Sequence, residues 1–331
     1  MAYYDLRRRF IKRETYDHDE LVTAQLRGKQ VTWAKVLKNR SSVIVAAANF
    51  GKTTEMRQQA AQLRASGETA VFIALRQLAD RGSLDRALTG DDRDAYRAWK
   101  AAPLGPITVF VDSLDEAVAG GKAESISHLV GDVADELSWP NEHVRWVIST
   151  RPAVLTAGVF EKLSELLSKP APKTIGSSGG PSGLGAGGAV SVAVEAEAPE
   201  PVPLSLFSMA HLEDHQAAVY LTGRYPALDA KQLIEIASER GLSGFVRSPG
   251  GLDILARIDM VASPPESLTE VFERVVNAIG TLRGADHRLV AAGSPAQDVL
   301  SGAAQRLASA SVVCQLVNIE MPEATLAIPE T

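Results

Sequence analysis

Cysteine is almost missing from the 331-residue chain: Cys314 is the single one, so no disulfide can close within it and no cysteine cluster can hold a metal. A reducing compartment suits such a chain. Aromatic residues make up only 5%, and the formal net charge is −6, so the interleaved basic and aromatic surface of a nucleic-acid binder is lacking. No stretch reaches the roughly 18 uninterrupted apolar residues that a membrane helix needs. The amino terminus, MAYYDLRRRFIKRE, carries charge with no apolar run behind it and is not a secretory signal. The expectation is a soluble, cytoplasmic protein with no membrane partner and no nucleic-acid partner. What is present is ordinary globular material, 45% hydrophobic and long enough for about two domains.

The most informative stretch is residues 43–55, VIVAAANFGKTTE. A short β-branched strand runs into a tight loop and then, from Gly51 onward, into a helix. This is the layout of a phosphate-binding loop, G-x-x-x-x-G-K-[ST], whose backbone N–H groups cradle phosphates while the lysine reaches the β and γ phosphates and the hydroxyl ligates magnesium. Lys52 and Thr53 fill those two roles. Ala46 stands where the first glycine belongs, so other residues must turn the loop; Asn49 is the candidate, because asparagine tolerates positive φ better than most residues. A strand-to-helix turn that merely spells Gly-Lys-Thr is the alternative.

Two later segments favour the phosphate-binding reading. Residues 107–117, ITVFVDSLDEA, describe a core strand whose aspartate, Asp112, emerges at the carboxyl edge of a parallel sheet, where ligands sit in open α/β folds. Asp112 lies about 60 residues beyond Lys52 and is the candidate magnesium-side carboxylate beside Thr53. Asp115 and Glu116 follow on the turn, where a carboxylate can orient or deprotonate an attacking water, or simply favour a helix N-terminus. Residues 144–152, VRWVISTRP, form a further apolar strand ending in Ser149, Thr150 and Arg151 before a proline. A polar group at this tip would lie beside the γ-phosphate and sense it through a charge-assisted hydrogen bond.

With these residues in order, the stretch from about 36 to 152 resembles the nucleotide-binding module of the NACHT-type STAND ATPases, P-loop switches of signal transduction. The doubled acid at Asp115-Glu116 after Asp112, and a serine or threonine followed by arginine and proline at a later strand, are characteristic of that family. The resemblance implies an α/β P-loop NTPase with a mostly parallel sheet flanked by helices and a smaller helical domain after it. It implies ATP and Mg2+ as ligands, with Ala46, Asn49, Phe50, Gly51, Lys52, Thr53 and Thr54 around the phosphates, Thr53 and Asp112 on the metal, Asp115 or Glu116 on the water, and Arg151 as γ-phosphate sensor. Ala46 and Asn49 depart from the family's glycines and bear on affinity and turnover.

The remaining chain is read around this core. Residues 1–41 are expected to be helical and polar, with Arg7, Arg8, Arg9, Lys12 and Arg13 as a solvated basic face. Leu21, Val31, Trp33, Val36 and Leu37 dock the segment on the NTPase domain, assigned to 42–210. Within that domain, 169–203 is rich in Gly, Ser, Ala and Pro and is expected to be a flexible insertion. Residues 204–207 suit a last strand, and helical spacing at 211–221, 231–238, 250–260, 268–282 and 290–318 suggests a helical module over 211–331. His211 and His215 stand four apart without a further ligand at useful spacing, which favours a solvated helix face over a metal site. The turn RSPGG lets backbone approach a ligand closely; in the resembled family a proline there packs on adenine, which makes Pro249 a candidate contact, while a plain turn between helices is the alternative.

Three functions remain in play. The leading one is an ATP-binding, slowly hydrolysing switch in signalling or defence that controls docking of the helical module, self-association or a protein partner. The second is a degenerate nucleotide-binding or scaffolding protein without turnover, and the third a nucleic-acid remodelling ATPase, against which the acidic charge counts. No effector domain before the loop and no repeat after the helical module is apparent, so the chain is expected to be a core without its sensor.

Overall fold

The computed structural model describes residues 3–17, 21, 28–102, 105–114, 123–137, 143–168, 203–258, and the isolated positions 263, 270 and 274. Seven strands form one sheet: β1 (Phe10–Arg13), β2 (Gln30–Val31), β3 (Ser41–Val45), β4 (Thr69–Ala74), β5 (Ile107–Asp112), β6 (Val144–Thr150) and β7 (Ser205–Met209). They lie in the order β2-β1-β7-β3-β6-β5-β4. The five strands from β7 to β4 run parallel, while β1 pairs antiparallel with both β2 and β7.

The apolar runs of the parallel strands are explained by burial on both faces. Val43 and Val45, Val109 and Val111, and Trp146 and Ile148 enter one core, whereas Ile44, Phe110 and Val147 on the same strands point into the other. That period-2 division is the pleat made visible. The second face is covered by helix α2 (Lys52–Ala65) through Met56, Ala60 and Leu63, together with Trp33 and Val36 of the short helix α1 (Trp33–Val36). The first face is covered by α3 (Leu75–Arg81), α4 (Leu84–Ala87), α5 (Asp91–Ala101), α6 (Ala123–Glu136) and α7 (Ala157–Leu167). Gly82 caps α3 and Gly90 precedes α5, so glycine punctuates this charged stretch at both breaks.

Among the described residues beyond β7 are the helices α8 (Asp214–Arg224), α9 (Ala230–Glu239), α10 (Ser243–Val246) and α11 (Pro249–Arg257). Their apolar faces, with Leu221, Leu233, Phe245, Leu252 and Leu255, make a third core of their own. Asp253 on α11 accepts hydrogen bonds from Tyr220 (2.8 Å) and Tyr225 (3.0 Å) and pairs with Arg224 at 2.8 Å, tying α8 to α11. The expected helices at 268–282 and 290–318 and the insertion at 169–203 fall almost wholly outside the described residues. Among the described residues no helix is long and apolar enough to cross a membrane.

The amino-terminal segment corrects the expectation of a helix. Over Phe10–Arg13 it is a strand, because Leu6, Arg8 and Phe10 are buried while Asp5, Arg7 and Arg9 are exposed, an alternation that suits extended chain. Its place is fixed by pairing with β7, Phe10 opposite Met209 and Arg13 opposite Leu206. The segment then joins two cores: Leu6 packs in the helical module and Phe10 in the sheet domain. Gln216 of α8 donates to the Leu6 carbonyl at 2.6 Å, and the Tyr4 hydroxyl donates to the Gly223 carbonyl at 2.9 Å.

Candidate nucleotide site

Parallel register brings the chemistry to one edge. Val45 is opposite Thr150, Val111 opposite Ile148, and Ala74 opposite Asp112, so the carboxyl ends of β3, β6, β5 and β4 are level. Strand β3 has β7 and β6 as neighbours, neither of which is the next strand in sequence, so the chain leaving β3 must cross to β4 at the far edge. The crevice beyond the carboxyl end of such a strand is where open α/β sheets bind ligands.

The loop between β3 and α2 enters that crevice. Asn49 has φ 63°, the left-handed turn anticipated for it, and Gly51 has φ 85° as the cap of α2. Ala46 is buried in the core with Ile44, and its amide donates to the Thr150 carbonyl at 3.2 Å, so the missing glycine is replaced by a residue anchored to β6. Among the described residues no side chain caps the N-terminus of α2, a position where an anion is favoured by both hydrogen bonding and the helix dipole. Lys52 is buried, and its Nζ donates to the carbonyls of Ala46 (2.6 Å) and Ala47 (2.9 Å). Thr54 lies exposed in the first turn.

The second group meets the loop across the intervening strand. Thr53 Oγ1 donates to Asp112 Oδ2 at 2.6 Å, and Ser149 Oγ donates to Asp112 Oδ1. Asp112 is only 5% exposed, and its carboxylate oxygens are held by hydroxyls from two different elements, Ser149 buried on β6 and Thr53 exposed in the first turn of α2. A hard cation that keeps several waters and takes one or two protein oxygens plus phosphate oxygens fits this donor set. Arg151 follows at the exposed tip of β6, one residue past Thr150. Asp115 and Glu116 lie outside the described residues. Pro249, far off in sequence, is brought to the loop: its Cγ would stand 3.5 Å from a Cβ placed on Gly51.

Within the basic cluster Arg7, Arg9 and Lys12 are exposed, as a solvated face requires, and Arg13 is half-buried, but Arg8 departs from that expectation at 3% exposed. Its Nη2 donates to the Phe50 carbonyl at 3.4 Å, while Nε and Nη1 find no hydrogen-bond partner among the described residues. Glu55, one turn into α2, is also buried and accepts from Trp33 Nε1 and the Tyr3 hydroxyl, each at 3.4 Å. Burial raises the Glu55 carboxyl to about 7 against the pull of Arg8, and burial lowers the Arg8 guanidinium to about 10 against the pull of Glu55. Desolvation thus outweighs mutual attraction in both partners. His211 sits before α8 rather than on it, its ring 5.5 Å from Phe50, and burial with Arg247 and Arg8 nearby holds its imidazole below the ordinary value. The alternation of Leu6, Arg8 and Phe10 was the available signal for this inward arginine.

β6 is inserted between β3 and β5, and the hydroxyl that follows the β3 loop meets the carboxylate that ends β5. The fold is α/β, an open and mostly parallel seven-stranded sheet flanked by helices, the architecture expected of a P-loop NTPase. No family model matches the chain, and no curated protein matches it. Among solved structures it is similar to the FIGL-1 AAA domain in complex with ADP, at 12% identity and TM-score 0.35 over 81% of this chain and 78% of that one. It is similar to the S. cerevisiae Hsp104–ADP complex at 13% identity and TM-score 0.36, over 92% of this chain and 40% of that one. A further structure of the FIGL-1 AAA domain aligns at 11% identity and TM-score 0.35, over 88% and 84% of the two chains.

Proposed function

We propose that this chain is an ATP-binding switch of the NACHT-type STAND kind, hydrolysing slowly and using the bound nucleotide to control its helical module. The observation that carries the reading is the 2.6 Å contact between Thr53 Oγ1 and Asp112 Oδ2, with Ser149 on the other carboxylate oxygen. A hydroxyl and a carboxylate from separate elements converge where magnesium would be shared with the phosphates, and bound Mg2+ supplies charge neutralisation for the β and γ oxygens. The loop residues Ala46, Asn49, Phe50, Gly51, Thr53 and Thr54 surround the phosphates, and Lys52 leaves its loop carbonyls for the β and γ oxygens. Arg151 reaches the γ-phosphate from the strand tip, and Asp115 or Glu116 positions the attacking water.

Ala46 favours a second reading, in which nucleotide is bound but not turned over and the protein acts by occupancy alone. Equilibrium binding of ATP, ADP and GTP, with and without magnesium, followed by phosphate release under single-turnover conditions, tests both. Magnesium-dependent ATP binding with slow release supports the switch; binding without release above background supports occupancy; no binding of any nucleotide defeats both readings.

A further inference from the structure

The loop that lacks its first glycine is tied from outside. Gly250, the second residue of α11, donates its amide to the Asn49 carbonyl at 3.1 Å, and Arg8 of the amino-terminal segment donates to the next carbonyl, that of Phe50. Lys52 holds the carbonyls of Ala46 and Ala47 from within. Carbonyls fixed on one side of a loop leave its amides directed to the other, which is what a phosphate cradle requires. The approach at Gly250 is too close for any side chain: a Cβ there would stand 2.4 Å from Asn49 Cβ and 3.2 Å from its carbonyl oxygen. Its neighbour Gly251 has a different reason to lack one, because a Cβ there would meet the Phe245 backbone oxygen inside the module at 2.2 Å.

We propose that Gly250 is a positioning residue for nucleotide: its peptide contact with Asn49 holds the phosphate loop in shape in place of the glycine missing at 46, so that phosphate binding and docking of the helical module stabilise each other. The inference rests on the nucleotide reading above. Two named surfaces meet at one peptide group, and the coupling is reciprocal: whatever docking adds to nucleotide affinity, nucleotide must add to docking. The effect belongs to Gly250 itself, with Pro249 at Gly51 as its flank.

Three measurements on the full chain, with MgATP as the probe, test this. Wild type must first bind MgATP; failure there removes the nucleotide reading rather than the contact. Gly250→Ala is then expected to lower MgATP affinity by on the order of tenfold, within the usual range of coupling between sites, while keeping the wild-type circular dichroism spectrum. The Asn49→Gly/Gly250→Ala double variant removes the 2.4 Å conflict and keeps positive φ accessible at 49, so most of the affinity should return. In wild type, saturating MgATP should slow hydrogen exchange at the Gly250 amide by about the same factor. Affinity of Gly250→Ala within twofold of wild type, no recovery in the double variant, or exchange at Gly250 indifferent to MgATP would each overturn the proposal, and the exchange measurement does so without relying on any variant folding.

Discussion

Thr53 and Asp112 are 59 residues apart in sequence, yet the hydroxyl of one donates to the carboxylate of the other at 2.6 Å across the end of β6. The contact exists because β6 is inserted between β3 and β5 and because parallel register levels their carboxyl ends. Sheet topology thus brings a loop hydroxyl and a strand carboxylate together at one edge of the sheet, the two groups that would hold a magnesium ion.

Removing either partner should therefore abolish the benefit of magnesium. Thr53→Val keeps the shape and loses the oxygen, and Asp112→Asn keeps an acceptor and loses the charge. In wild type, magnesium is expected to tighten ATP binding; in each variant affinity with magnesium should approach the value measured in EDTA. Titrations in both conditions read this directly, and variants with an undiminished magnesium response would show that the metal is held elsewhere.

Lys52→Ala should weaken ATP binding about tenfold or more, since a charge-assisted hydrogen bond contributes roughly 1.5–3 kcal/mol. The same lysine holds the Ala46 and Ala47 carbonyls in the structure described, so the substitution also releases the loop. Lys52→Met, which retains most of the aliphatic stem, should lose as much affinity if phosphate contact is the role. Equal binding by wild type and both variants would end the phosphate-loop reading.

Glu55 predicts a pH dependence of stability. Folding raises its pKa from 4.5 to about 7, chiefly through burial, so between those values the folded chain binds more protons than the unfolded one. The corresponding stability is full below about pH 4.5 and is lost as pH rises through about 7. The amount is on the order of 3 kcal/mol. Glu55→Gln, neutral at every pH and able to accept from Trp33 and Tyr3, should remove this component, so the difference between wild type and variant in urea unfolding should change across pH 5 to about 8. Parallel curves would mean that Arg8 keeps the carboxylate charged throughout.

Much of the sheet was legible because its parallel strands are largely apolar runs and two of them, β5 and β6, end in a chemical group. The runs before Asp112 and Arg151 locate β5 and β6, and residues 204–207 anticipate β7. The amino-terminal strand was not legible for two reasons. Its partner is remote, Arg13 bonding Ser208 across 195 residues, and its inward positions include an arginine that belongs by type with the exposed Arg7 and Arg9. Burial of Arg8 depends on Phe50, Tyr3 and Glu55 gathering around it, which local sequence does not encode. The turn of the loop at Asn49 was legible from residue type alone, whereas the docking of Pro249 and Gly250 on it required the fold.

The last prediction separates a hydrolysing switch from an occupancy sensor. Asp112 should be needed for the bound ground state through magnesium, whereas Asp115 and Glu116, which follow β5 in sequence, should matter for activating water and little for binding. Asp115→Asn and Glu116→Gln, singly and together, should keep ATP affinity within a few-fold, while the double variant and the single variant that removes the base lower turnover by about 10², the usual size of a general-base contribution. The ATP-bound form should then accumulate, visible as nucleotide that remains triphosphate after elution from the protein. The pair is expected to behave unequally, because only one carboxylate can lie within hydrogen-bond reach of the attacking water in line with the γ-phosphate. If both variants turn over as fast as wild type, neither acid activates the water. If wild type binds ATP and releases no phosphate above background, Ala46 marks a loop that senses occupancy, and the acids have no water to activate.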